Sequence, residues 1–226
     1  MINIQNLSKN FDDKQVLKNI NMQFVQGNVY GIVGENGAGK TNLFRCIAGL
    51  ENYNGQIISE LNPLKNHLGL LLTEPFFFEK ITGKEYIQLL CNARGKERLE
   101  IADKNIFDLP LDQYASIYST GMKKKLALLA ILLQENQCFV LDEPFNGVDI
   151  HSNVIIVELI HKLKSLGKTV IISSHIFSTL RETCDEIFLL KDGEIIKKVF
   201  RENFDSLELE MKEFFIRNKI DRLELK

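Results

Sequence analysis

Gly34-Glu35-Asn36-Gly37-Ala38-Gly39-Lys40-Thr41 separates two strongly apolar segments of the chain. Before it, Val29-Tyr30-Gly31-Ile32-Val33 is the nearly continuous apolar run of a strand covered on both faces. After it, Leu43, Phe44, Ile47, Ala48 and Leu50 recur at helical spacing. The octapeptide fits G-x-x-x-x-G-K-[ST] and sits between a strand and a helix, the context that pattern requires. Glycines let backbone N–H groups close around phosphate oxygens, and the following helix adds the positive end of its dipole. Lys40 should lie against β- and γ-phosphates, and the Thr41 hydroxyl should coordinate Mg²⁺. An incidental glycine-rich turn needs neither this spacing nor these flanks, so nucleotide binding is the reading.

Working outward, Ile2 and Ile4, then Ile20, Met22 and Phe24, alternate as in half-buried antiparallel strands, with turns at Asn10–Lys14 and Gln26–Asn28. Leu68–Leu72 reads as a second buried strand. From Thr82 to about Gln134 the period is helical, with Tyr86, Leu89, Leu90 and Ala93 on one face and Met122, Leu126, Leu129 and Leu133 on another. Strand signals return at Cys138–Leu141, Thr169–Ser173 and Ile187–Leu190, separated by helical patterns at Val154–Leu166 and Phe177–Cys184. That alternation predicts an α/β fold with a mainly parallel sheet and crossover helices. An antiparallel β subdomain precedes it and a helical subdomain is inserted at about 74–135. Residues 1–203 read as one domain, and 204–226 as a C-terminal amphipathic helix with Leu207, Met211, Phe214 and Phe215 on one face.

Composition narrows the classes. The 226 residues are 45% hydrophobic and 26% charged, the proportions of a globular protein with a core of its own. No apolar run approaches the roughly 18 residues of a membrane span, and no secretory signal pattern opens the chain. The net charge of −2 supplies no global basic field, so no nucleic-acid partner is expected. Cys46, Cys91, Cys138 and Cys184 are far apart, each in an apolar pattern, and read as buried free thiols.

Cys138-Phe139-Val140-Leu141 runs straight into Asp142-Glu143-Pro144. A buried strand that ends in two acids delivers them where ligands bind in open α/β sheets. Asp142 suits Mg²⁺ through its water shell, and Glu143 suits the attacking water as general base. Pro144 marks the chain leaving the sheet. His175 follows the next buried strand, which brings it to the same sheet edge.

With these residues in place, the chain from about Ile2 to Phe200 resembles the ATP-binding subunit of an ABC transporter. Gly34–Thr41 match the family's Walker A motif and Val140–Glu143 the end of Walker B. Tyr118-Ser119-Thr120-Gly121-Met122 resemble the signature motif in its YSxGM form. Asn146-Gly147-Val148-Asp149 stand where the D-loop would be, and Ser173-Ser174-His175 carry the switch histidine. Phe11 stands in the place of the aromatic that stacks on adenine. The resemblance implies a P-loop ATPase core that binds ATP and Mg²⁺, with Glu143, His175 and Lys40 catalytic and with Thr41 and Asp142 at the metal. It also implies nucleotide contacts from Phe11, Val16, Asn36, Gly37, Ala38, Gly39, Lys40, Thr41, Asn42, Ser119, Gly121 and Asp149. Two copies, or a paired ATPase subunit, would sandwich two nucleotides, with Ser119 of one facing the γ-phosphate held by the other.

The signature segment has a reading from the residues as well. Ser119 is a good N-cap for the helix through Met122 and Leu126, and Gly121 leaves its first turn open to approach. Lys123–Lys125 read as a solvated helix face. The chain departs from the family pattern at Thr73, where a Gln is usual after the second core strand, with Glu74 and Pro75 next. Thr120, Met122, Glu35 and Asn42 are further departures. Phe76-Phe77-Phe78 suit either a partner's helix or packing between subdomains, with one ring outward and two inward as the expectation.

The function implied is an ATPase that drives a separate transmembrane permease, of exporter type by analogy, at the inner face of the cell membrane. A non-transport ABC-type ATPase acting on DNA or ribosomes is the alternative, and it would ordinarily carry coiled coils or paired ATPase domains. A small-molecule P-loop kinase would leave Tyr118–Met122 and Asp149 without a role. A non-hydrolysing sensor would not need Glu143 and His175.

Overall fold

The computed structural model describes residues 1–96 and 100–210. Period-two alternation at the start of the chain builds an antiparallel sheet. β1 (Ile2–Phe11) turns at Asp12-Asp13 into β2 (Lys14–Phe24), and β4 (Asn54–Ser59) pairs with the other edge of β1, giving the order β2-β1-β4. The sequence reading has no counterpart of β4. Its two apolar residues are adjacent, so pairing with β1 rather than a local pattern makes it a strand. Gly55 (φ +101°) serves that pairing: a Cβ there would meet the Asn6 carbonyl oxygen at 2.4 Å.

The larger sheet has the order β5-β6-β7-β3-β8-β9. β3 (Val29–Val33), β5 (Leu68–Leu71), β6 (Cys138–Asp142), β7 (Thr169–Ser173) and β8 (Glu186–Lys191) are parallel, and β9 (Glu194–Phe200) is an antiparallel edge. β9 is also absent from the sequence reading, although Asp192-Gly193 is a hairpin signal; both residues have positive φ. The hairpin tip reaches back into the fold. Gly193 N donates to Ala38 O at 3.1 Å, and Lys18 N donates to Gly193 O at 2.8 Å. A Cβ on Gly193 would lie 2.6 Å from Val16 O, so only glycine allows the approach.

Successive strand residues feed two separate cores. Val29, Val33, Phe139, Leu141, Val170 and Ile172 pack with α3 (Thr120–Leu133), α4 (Ile150–Ser165) and α5 (Phe177–Thr183). Tyr30, Ile32, Cys138, Val140 and Ile171 pack on the other face with α1 (Lys40–Ile47) and the antiparallel sheet. All four cysteines are buried and free.

Among the described residues, the expected helical stretch from Thr82 to about Gln134 holds two α-helices. α2 (Gly83–Asn92) starts from a capping box in which Thr82 and Glu85 exchange hydrogen bonds. Between α2 and α3, 3₁₀ turns form at Ala102–Lys104 and Ala115–Ile117, and Asn105 bonds both N–H and carbonyl of Leu109. Two of the three adjacent phenylalanines face outward rather than one. Phe76 and Phe78 are exposed and stacked edge to face, whereas Phe77 packs on Tyr86 with ring centroids 4.5 Å apart. Residues 204–210 are helical, with Leu207 buried; Met211, Phe214 and Phe215 lie outside the described residues. Among the described residues no helix is long and apolar enough to cross a membrane.

Candidate functional site

Three neighbouring strands of the large sheet end at one edge, and the site is built there. β3 runs into the glycine loop, β6 into Asp142-Glu143, and β7, lying between them, into Ser173-Ser174-His175. Two loop glycines are dictated by packing. A Cβ on Gly34 would lie 2.3 Å from Leu190 O. One on Gly39 (φ +112°) would meet Leu17 Cδ2 and Val16 O, both at 2.9 Å. Val16 thus touches the loop through its carbonyl from below.

The strand pleat aims the first acid. Asp142 shares the parity of Cys138 and Val140, the side of the sheet that packs on α1, and so meets the start of that helix. Its Oδ2 accepts from Thr41 Oγ1 at 2.6 Å, and its Oδ1 accepts from Ser173 Oγ at 2.6 Å. The backbone then turns at Glu143, whose φ of +52° is in the left-handed region rarely used by residues with a side chain. Glu143 N donates to Ser173 Oγ at 3.0 Å, and Glu143 Oε2 accepts from His175 N at 3.1 Å. Glu143 Oε1 lies 3.0 Å from His175 Nε2 but off hydrogen-bond alignment, so this buried oxygen has no aligned donor. An orphaned carboxylate oxygen beside an accessible imidazole is equipped to receive a proton from a bound water.

Lys40 is buried, its ammonium curled onto Gly34 O at 2.7 Å and Glu35 O at 3.2 Å. Burial lowers its pKa, and the carboxylates of Glu143 and then Asp142 oppose that shift without reversing it. Around these groups lies a cleft of about 640 Å³, lined also by Asn36, Gly37, Gly39, Asn42, Thr73, Glu74 and Asn146. That volume is ample for a nucleoside triphosphate.

The cleft therefore brings together Lys40, Thr41, Asp142, Glu143 and His175 with Asn36, Gly37, Gly39 and Asn42. Ala38 belongs to the same loop but is buried beneath it. Phe11, Val16, Ser119, Gly121 and Asp149 do not line it. Phe11 is 41% exposed at the end of β1, with Lys9 Nζ 4.5 Å from its ring centroid. Ser119 is exposed and caps α3, its Oγ accepting from Met122 N at 3.2 Å. The open face of Gly121 is taken by Gly147 O, 2.5 Å from where a Cβ would stand. Asp149 caps α4, accepting from Ser152 N and Ser152 Oγ, each at 2.8 Å, and from Lys125 Nζ at 3.1 Å. The Ser152 bonds, then the Lys125 ammonium, hold its carboxyl well below the usual range.

One sequence expectation is overturned. Lys123–Lys125 do not form a solvated face: Lys124 is 2% exposed, and its Nζ donates to Glu143 O and Asn146 O, both at 2.8 Å. Helical spacing carried the signal, because Lys124 shares its face with the buried Ala127, Leu128 and Ile131. Ser173 is the other residue whose part the sequence reading missed. It joins both acids by one hydroxyl, and its place opposite Asp142 is a matter of strand register.

The family model described as ABC transporter matches residues 17–146. The chain is 30% identical to the lantibiotic transport ATP-binding protein SrtF of Streptococcus pyogenes, over 92% of this chain and 94% of that one. It is 32% identical to the ABC transporter ATP-binding protein NatA of Bacillus subtilis, over 87% and 88%. In fold it is similar to the dimeric ATP-binding cassette MJ0796 bound to ADP and Pi, with a TM-score of 0.80 and 20% identity over 89% of this chain and 99% of that one. The chain belongs to the ABC transporter family, and its relatives there are ATP-binding proteins of transport systems.

Proposed function

We propose that this chain binds ATP with Mg²⁺ in the cleft at the ends of β3, β6 and β7, hydrolyses it, and drives a separate transmembrane partner. The observation that carries the reading is the triad of strand ends: Thr41 bonded to Asp142, and Glu143 with an Oε1 that has no aligned hydrogen bond beside His175. The Thr41 hydroxyl and the Asp142 carboxylate are hard oxygen donors of the kind Mg²⁺ selects, and they would hold it. When bound, the metal neutralises charge on the phosphate oxygens. Lys40 exchanges the carbonyls of Gly34 and Glu35 for phosphate oxygens. Glu143 Oε1 takes the proton of the attacking water, and His175 orients that water and the γ-phosphate.

In this reading a second copy of the chain, or a paired ATPase subunit, closes over the cleft in the ATP state. The tip of α3 at Ser119, exposed and outside its own cleft, supplies N–H groups and a hydroxyl to the partner's triphosphate. Phe11 and Val16 serve the base. Gly121 and Asp149 serve the interface between copies. Residues 1–203 act as one ATP-binding domain with 74–135 as its helical insertion, and the helical residues 204–210 are appended to it. A groove between Ala48–Leu50 of the core and Phe76, Tyr86, Leu90, Ala127 and Ile131 of the helical part receives the transmembrane partner. Exposed Phe76 at its rim supports that role. The partner would keep the chain on the cytoplasmic face of the membrane. Export is favoured over import by analogy, from the YSxGM form of Tyr118–Met122 and the run to Asp149.

Substituting Glu143→Gln tests the reading. The variant should lose hydrolysis by about two to four orders of magnitude, retain MgATP binding, and elute as a dimer only with ATP. A variant that still turns over removes Glu143 from its role. One that binds ATP and stays monomeric removes the two-copy site.

A further inference from the structure

Lys124 is the most deeply buried lysine among the described residues. Its ammonium forms no close ion pair there; Glu143, Asp142 and Glu74 balance the charge from farther away, and burial still lowers its pKa. A desolvated ammonium without a contact counterion is costly to keep, so its hydrogen bonds are the feature to explain. They go to two carbonyls, Glu143 O and Asn146 O, at the two ends of the turn that follows the acid pair. Asn146 N closes that turn on Glu143 O at 3.2 Å. Within it Glu143 holds a left-handed backbone, which persists only where surroundings over-determine it. The same helix grips the segment twice more, through the Gly121 contact with Gly147 O and through Lys125 on Asp149 and Ser152.

We propose that Lys124 is a positioning residue for hydrolysis: by fastening Glu143 O and Asn146 O to α3, it aims the Glu143 carboxylate into the cleft. It also makes one rigid piece of the acid and the Ser119 helix tip, so that the covering of one nucleotide and the attack on the other are mechanically joined. The inference rests on the ATPase reading above for its consequence and on the clasp alone for its structure.

The test uses the full chain with Lys124→Met, which keeps an unbranched apolar stem one atom shorter and removes the donor. Without nucleotide, amide hydrogen exchange at Asn146 and Gly147 should quicken roughly tenfold, with the rest of α3 unchanged. With MgATP, kcat should fall roughly ten- to hundredfold while Kd for ATP stays within about twofold, the signature of a displaced base. Lys124→Gln, which still donates, should recover part of the lost kcat. Lys124→Ala takes the place of the methionine variant if that chain does not fold. Unchanged exchange overturns the clasp, and so does a Kd that weakens in step with kcat. An unsubstituted chain that binds ATP without hydrolysing it refutes the ATPase reading instead, and the exchange experiment still judges the clasp.

Discussion

Lys40 shows how a single side chain is prepared before any ligand arrives. Its ammonium is buried and, among the described residues, bonded only to carbonyls of its own loop, Gly34 and Glu35. Exchanging these neutral acceptors for anionic phosphate oxygens puts a charge on the second partner as well, so each hydrogen bond becomes part of an ion pair and strengthens. Lys40→Ala should therefore weaken ATP binding by roughly ten- to hundredfold, and calorimetry showing unchanged affinity would reject the contact. Lys40, Thr41, Asp142, Glu143 and His175 were legible in sequence for one reason. Asp142 and Glu143 stand at the end of one short apolar strand, His175 two residues past another, and Lys40 and Thr41 past the glycine loop that leaves a third; strand ends in parallel sheets share an edge. Lys124 was not legible from composition, because three consecutive lysines look solvated until the helix is wound and its middle member falls over Leu128.

Among the elements, two helices begin with hydroxyl caps but serve different ends. Thr82 caps α2 reciprocally with Glu85, away from the cleft, and that pair holds the Glu85 carboxyl below its usual pKa. Ser119 caps α3 with one bond and is otherwise open to solvent. Either change to alanine should lower stability by about 1 kcal/mol, or about 2–4 °C in Tm. Only Ser119→Ala should also weaken the ATP-dependent dimer, as read by light scattering in the Glu143→Gln background. Equal dimerisation by the two variants would confine Ser119 to capping. The Ser119 cap could be read from sequence, as a hydroxyl residue just ahead of a helical apolar pattern; the Thr82 cap, with Glu85 three residues on, was no part of that reading. β4 and β9 could not be read so simply. β4 is specified by its neighbour β1, and β9 by a turn whose meaning depends on the strand before it.

At the level of the whole molecule, the sheet has a core on each face, and buried thiols sit in both. Burial pushes Cys46 up to about 11 and Cys138 and Cys184 up to about 12. A thiol released by unfolding ionises near 8.5–9. Below that pH these raised values contribute stability in full; it declines as pH climbs from about 9 toward 12, because the unfolded thiols then lose protons that the folded ones keep. At pH 8.5 iodoacetamide should accordingly modify Cys138 and Cys184 only at the rate of global opening, whereas rapid labelling of the native chain would contradict their enclosure.

The Asp192-Gly193 hairpin has a bearing on how the polypeptide is made. Its tip is bonded to Ala38 O and to Lys18 N, so the cradle formed by residues 34–41 is propped by residues synthesised some 150 positions later. During translation the cradle emerges early and waits, unsupported, until the hairpin has cleared the ribosome. Nucleotide competence then switches on only after residue 193 has cleared the ribosome, and fragments released before that point should be unable to grip ATP.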